Sequence, residues 1–240
     1  MSVTGARTLD IPHSALADTL LERLTTAYGA AADPERAGPM RAYMKDVAPF
    51  LGLTTPVRRS LFRTVVEGTP RPDEADCTAV ALRCWRLPER EYHYFAVDYL
   101  RRHAGRCSSA FLPVTRHLVS TVAWWDTVDL LAVHVVGALV AADPELTAEM
   151  DAWSTDDDLW IVRTALLHQL RYKQRTDTER LFTYCLRQSG HPDFFVRKAI
   201  GWALREYAKT HPDAVRHFLA REEGRFAPLS VREALKNVGA

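Results

Sequence analysis

The chain has 240 residues, 47% of them hydrophobic, with six tryptophans, which is enough apolar material for a substantial core. The net charge is only +1, and the four cysteines (Cys77, Cys84, Cys107 and Cys185) form no Cys-x-x-Cys pair, so buried thiols in a reducing cytosol are expected and not a disulfide frame or zinc site. No apolar run reaches about 18 residues and Met1–Asp10 lacks the apolar stretch of a secretion signal, so neither a membrane span nor a leader is expected.

Along the chain the pattern is helical almost throughout. Leu16, Leu20, Leu21 and Leu24, then Leu61, Val65 and Val66, recur at three- and four-residue spacing. Strand alternation and hairpin turn signals are missing. Asp33-Pro34, Thr55-Pro56, Asp143-Pro144 and His211-Pro212 place proline in the first turn of helices. The spacing of such breakers implies roughly a dozen helices of about 10 to 16 residues. Glu67-Gly68-Thr69-Pro70-Arg71-Pro72 is a loop too short to separate domains. One domain over residues 1–240 is expected, with residues 1–12 frayed.

Late in the chain, Ile161-Val162-Arg163-Thr164-Ala165 is echoed by Phe195-Val196-Arg197-Lys198-Ala199. Arg163 and Arg197 are 34 residues apart, a two-helix repeat length. Stacked helix pairs form a superhelix with a concave face that basic side chains can line. Charge supports this. From Ile161 to Ala240 there are 15 Lys and Arg against 8 Asp and Glu, so the last third is basic and suits an anionic partner. A drift of sign along solvated helix faces gives the same count.

The chemistry-bearing residues centre on Trp124-Trp125-Asp126-Thr127-Val128-Asp129. On one helix, Trp125 and Asp129 share a face, an aromatic plate beside a carboxylate. One of Trp124 and Trp125 belongs to the core and the other to the surface, where it can stack on a base or sugar. Asp126 reads as an N-cap, which puts Asp129 at the third helical position. Arg163, inside an apolar helix, needs a partner: either a carboxylate such as Asp129 or a phosphate. Trp202, between Gly201 and Ala203, is either core packing or a surface that a backbone or ligand approaches closely. His93 and His168 read as packed or surface residues. The nine histidines show no metal-ligand spacing, and phosphate-loop, His-Glu-x-x-His and Gly-x-Ser-x-Gly motifs are absent, so no metal or organic cofactor is expected.

These segments resemble the AlkD-like DNA glycosylases. Ala42-Tyr43-Met44-Lys45, Glu91-Tyr92-His93-Tyr94-Phe95, the three segments around Trp125, Arg163 and Trp202, and Pro228 to Asn237 follow in order over about 200 residues. The resemblance implies an all-α, HEAT-like helical-repeat solenoid with a concave DNA-binding face. It implies hydrolysis of the N-glycosidic bond of cationic alkylated purines such as N7-alkylguanine and N3-alkyladenine, in base excision repair or in self-resistance to an alkylating natural product. It makes Asp129 the catalytic carboxylate, Trp125 and Trp202 its aromatic partners, and Arg163, Tyr43, Trp124, Arg197 and Lys198 DNA-binding residues. The implied partner is double-stranded DNA carrying alkylated purines, met by a monomer in the cytoplasm near the nucleoid, without membrane or obligate protein partner. The competing readings are a non-catalytic helical scaffold binding DNA or protein, and a solenoid binding an acidic peptide.

Overall fold

The computed structural model describes residues 9–236, and every regular element among them is helical. Most of the segment expected to fray (residues 1–8) and the last residue of the Pro228–Asn237 motif lie outside that range. The chain divides between Cys107 and Ser108 into two compact units.

The first unit holds α1 (Ala15–Ala30), α2 (Pro34–Tyr43), α3 (Thr55–Val66), α4 (Glu74–Arg86) and α5 (Arg90–His103). Its helix starts follow the sequence signals. Ser14 and Asp33 accept from the backbone N–H groups of Ala17 and Arg36, and Asp73 and Asp76 form a reciprocal capping box on α4. α1 packs on α3 and α4, and α4 on α5. Tyr28, Phe95, Tyr99 and Leu100 are buried between them. Glu91, fully buried, accepts from the backbone N–H groups of Leu51, Gly52 and Leu53 at 2.9, 2.9 and 3.0 Å, so one carboxylate pins the α2–α3 loop. Gly52 has φ +89 and lies against the Asp33 carbonyl, a place that no side chain fits.

The second unit holds α6 (Leu112–Ser120), α7 (Trp125–Leu131), α8 (Gly137–Ala142), α9 (Thr147–Trp153), α10 (Leu159–Leu167), α11 (Thr178–Arg187), α12 (Phe194–Ala208), α13 (Pro212–Arg221) and α14 (Pro228–Ala234). Several of these are shorter than the expected 10 to 16 residues. α7 and α8 are one helical run interrupted by a π-helical turn over Ala132–Val136. That run, Trp125–Ala142, has 18 residues and a mean hydropathy of 1.5, long and apolar enough by length and composition to span a bilayer, although Asp126, Asp129 and His134 interrupt its apolar sequence. It is a core helix by its burial, 56%, and it carries an ion-paired aspartate. α10 is central: it packs on α6, α7, α9 and α12, and α12 in turn packs on α13 and α14. Gly201 explains the closest pairing. A Cβ there would meet Glu233 Cβ at 2.5 Å and the Ser230 carbonyl at 2.7 Å, so its missing side chain admits α14. The close approach anticipated beside Trp202 is therefore by backbone.

Candidate active site

The site is built within the second unit from the starts of α7, α10 and α12. Trp124 caps α7, with extended backbone (φ −156, ψ 157). This corrects the assignment of Asp126 as N-cap: Asp126 lies in the first turn, and its Oδ1 accepts from the Thr127 backbone at 3.0 Å. The helix therefore begins earlier than expected, and Asp129 sits deeper along it. Val122 just upstream holds φ +47, a left-handed conformation rare for a β-branched residue. This local backbone is set by packing and has no Gly or Asn signal in the sequence.

Asp129 is 8% exposed and Arg163, one helix away on α10, is 3% exposed. Arg163 Nε donates to Asp129 Oδ1 at 2.7 Å and Nη2 donates to Oδ2 at 2.8 Å. This is a bidentate, fork-to-fork pair. The third nitrogen, Nη1, donates to the Phe195 carbonyl at the start of α12. One guanidinium thus fastens α7, α10 and α12 together. Burial pushes the Asp129 carboxyl above the usual aspartate range, and the hydrogen bonds and charge of Arg163 pull it back. The two-oxygen pairing with a cation holds the carboxylate form at neutral pH.

Aromatic rings close over this pair. The Trp124 ring lies 5.6 Å from Trp160 and 4.9 Å from Phe195, and Trp160 lies 5.1 Å from Phe195. Arg163 Cζ is 5.9 Å from the Phe195 centroid. Trp125 is 36% exposed and Phe194 54% exposed. Trp125 is thus the outward ring of the pair, whereas Trp124 is half-buried and not in the core. Trp124 Nε1 is buried with no hydrogen-bond partner. Trp160, Phe194 and Phe195 were not singled out as site residues. Their signal is an aromatic pair directly after the Asp193 cap and a tryptophan two residues after the Asp158 cap, both at helix starts.

Residues 24–238 match the family model described as DNA alkylation repair enzyme. The chain belongs to that family. A solved structure described as a predicted DNA alkylation repair enzyme from Enterococcus faecalis is 30% identical, with a TM-score of 0.79, over 87% of this chain and 97% of that one. The all-α helical-repeat fold read from the sequence is thereby shown. No curated protein matches the chain.

Of the remaining expected site residues of this DNA alkylation repair family member, Arg197, Lys198 and Trp202 lie on α12 and Tyr43 lies in the first unit. Trp202 is half-buried on α12 and makes no ring contact with the cluster among the described residues. Arg197 donates from Nε to the His191 carbonyl at 2.7 Å. The Lys198 ammonium is held by Glu233 at 2.7 Å. Glu233, 3% exposed, also holds Arg205 and Lys236, and the hydrogen bonds of Lys198 and Lys236 keep its carboxyl down at about 2. Tyr43 ends α2 in the first unit and is 74% exposed. His93 and His168 are both buried, in line with the packed reading. No group of three or more His, Cys, Asp or Glu among the described residues is arranged to hold a metal, and the four cysteines are buried and free.

Proposed function

We propose that the chain is a monofunctional DNA glycosylase that releases cationic alkylated purines, N7-alkylguanine and N3-alkyladenine, from duplex DNA. The observation that carries this reading is the buried Asp129–Arg163 pair on the helix face that also presents the outward ring of Trp125. An alkylated purine already bears positive charge, so its glycosidic bond breaks without a general acid. Departure leaves an oxocarbenium-like sugar. A carboxylate held ionised in a low-dielectric setting stabilises that cation and orients water toward C1′. The Trp125 face, and that of Trp202, suit the cationic deoxyribose. Arg163 keeps the Asp129 charge in place, and its fork also suits a phosphate. DNA is the partner in this reading, and the protein acts wherever the DNA is held.

One observation favours the rival, a non-catalytic scaffold: both Asp129 oxygens already accept from Arg163, as a purely structural tie between helices would require. Duplex DNA containing N7-methylguanine separates the two. The glycosylase frees the base and leaves an abasic site. The scaffold binds and frees nothing, from this lesion or from N3-methyladenine.

A further inference from the structure

Two of the four cysteines sit together in the first unit, outside the candidate active site. Cys77 lies one turn into α4. Cys107 follows the short 3-10 turn Ala104–Arg106 that ends α5, and its backbone N–H donates to the Ala104 carbonyl at 3.1 Å. α5 packs along α4, and the turn returns the chain to the start of α4. There the two thiols share a hydrogen bond, across about 30 residues of sequence.

The surroundings of the two sulfurs differ. Cys77 is fully buried, whereas Cys107 is 8% exposed. A groove of about 760 Å3 opens beside them, lined by Asp73 and Glu74 at the start of α4 and by His103, Gly105 and Arg106 just before Cys107. A small polar solute can thus reach the edge of the pair on the Cys107 side. The Tyr99 hydroxyl, buried and without a hydrogen-bond partner, lies within electrostatic reach of Cys77. Such an orphan donor gains an acceptor when a sulfur beside it carries oxygen.

The hydrogen bond from the Cys77 S–H also divides the roles. It pulls the Cys107 thiol below its ordinary pKa, against burial and the Glu74 charge, and with burial it pushes Cys77 up. Cys107 is the nucleophile at the edge, and Cys77 is the protonated thiol behind it. Cys84 and Cys185 are fully buried, and burial alone pushes both up, which makes them inert.

We propose that Cys77 and Cys107 are a reversible oxidation site, closing to a disulfide when the protein meets hydrogen peroxide. The Cys107 sulfur attacks one peroxide oxygen and the O–O bond breaks. This gives a sulfenic acid on Cys107 and one water. The Cys77 sulfur then displaces the hydroxyl from that sulfenic sulfur. The S–S bond forms, and the Cys77 proton leaves with the hydroxyl as a second water. The two thiols lose two electrons, which the peroxide takes up. The resolving thiol stops Cys107 before the irreversible sulfinic stage, and a dithiol reductant restores both groups.

The test treats the folded, reduced full chain with hydrogen peroxide at neutral pH, blocks remaining thiols by alkylation and maps non-reduced tryptic peptides by mass. Cleavage after Arg83 and Arg106 separates the cysteines of interest. One cross-link, Cys77 to Cys107, is expected, with Cys84 and Cys185 alkylated. The intact mass should fall by two hydrogens before alkylation and recover with dithiothreitol. In Cys77→Ser, whose hydroxyl can still donate to Cys107, no cross-link should form and dimedone should trap a sulfenic acid on Cys107. Circular dichroism checks that this variant is folded. Four thiols still free in the treated wild type overturn the proposal, as does a cross-link through Cys84 or Cys185. Oxygen added to Cys107 of the wild type without a cross-link also overturns it, and so does an unreactive Cys107 in folded Cys77→Ser.

Discussion

Truncating Asp129 to Ala tests how the candidate site is held together. The substitution strands a guanidinium that is 3% exposed, with two of its three nitrogens deprived of their acceptor. Only the Phe195 carbonyl remains for it. Breaking one side of a buried pair costs about 3–5 kcal/mol, mostly from the charge left behind. That corresponds to a fall in Tm of about 6–20 °C. Chemical denaturation of the wild type and Asp129→Ala, followed by far-UV circular dichroism, measures it. The double variant Asp129→Leu with Arg163→Met removes both charges and fills the space with apolar atoms. It should recover most of the loss while restoring no base release, because stability there comes from packing and catalysis from the carboxylate. A loss below about 1 kcal/mol in Asp129→Ala would refute the reasoning, since a pair sealed from water cannot be broken so cheaply.

Three further outcomes follow from other parts of the structure. Because burial raises the Asp129 pKa, protonation removes the active charge at a pH above that of an ordinary aspartate, about 3.9; single-turnover base release should fall tenfold per unit on an acid limb above that value, and a rate flat down to pH 4 would contradict it. His168, buried and held neutral with its pKa pushed down to about 4, is protonated first in the unfolded chain, so stability is lost as pH falls from 6.5 towards 4, by about 3 kcal/mol at most; in His168→Asn the urea midpoint should depend less on pH across that window. Gly201→Ala drives a methyl group into the Ser230 carbonyl and Glu233 Cβ and should cost about 1–3 kcal/mol by displacing α14, whereas Gly190→Ala, with open space around it, should cost far less in the same melt.

Much of this architecture is legible in the sequence because it is local. Proline at first turns, the Asp33 cap and the apolar spacing around Leu16 to Leu24 each act within one helix. The choice of partner for Arg163 was open between a carboxylate and a phosphate, and only the packing of α10 on α7 decides that Asp129 meets it. What the sequence hides is set by tertiary contact. The Trp124 cap follows from backbone bent at Val122, where no turn residue announces it. Just past the π turn over Ala132–Val136, the Gly137 carbonyl accepts from the Tyr172 hydroxyl at 2.7 Å, an interaction across 35 residues that periodicity cannot register. The ion pair of Lys198 with Glu233 joins residues 35 positions apart and has no local signal in the sequence.

The central claim is that Asp129 performs chemistry beyond its structural tie to Arg163. Single-turnover release of N7-methylguanine by Asp129→Asn, compared with its affinity for the same duplex, tests it most directly. Asn keeps one oxygen acceptor for Arg163 and removes the charge. The account predicts release at least about a hundredfold slower, with affinity for the duplex within a few-fold of wild type. Release at the wild-type rate by a folded Asp129→Asn protein would contradict it and leave the pair as a structural tie alone.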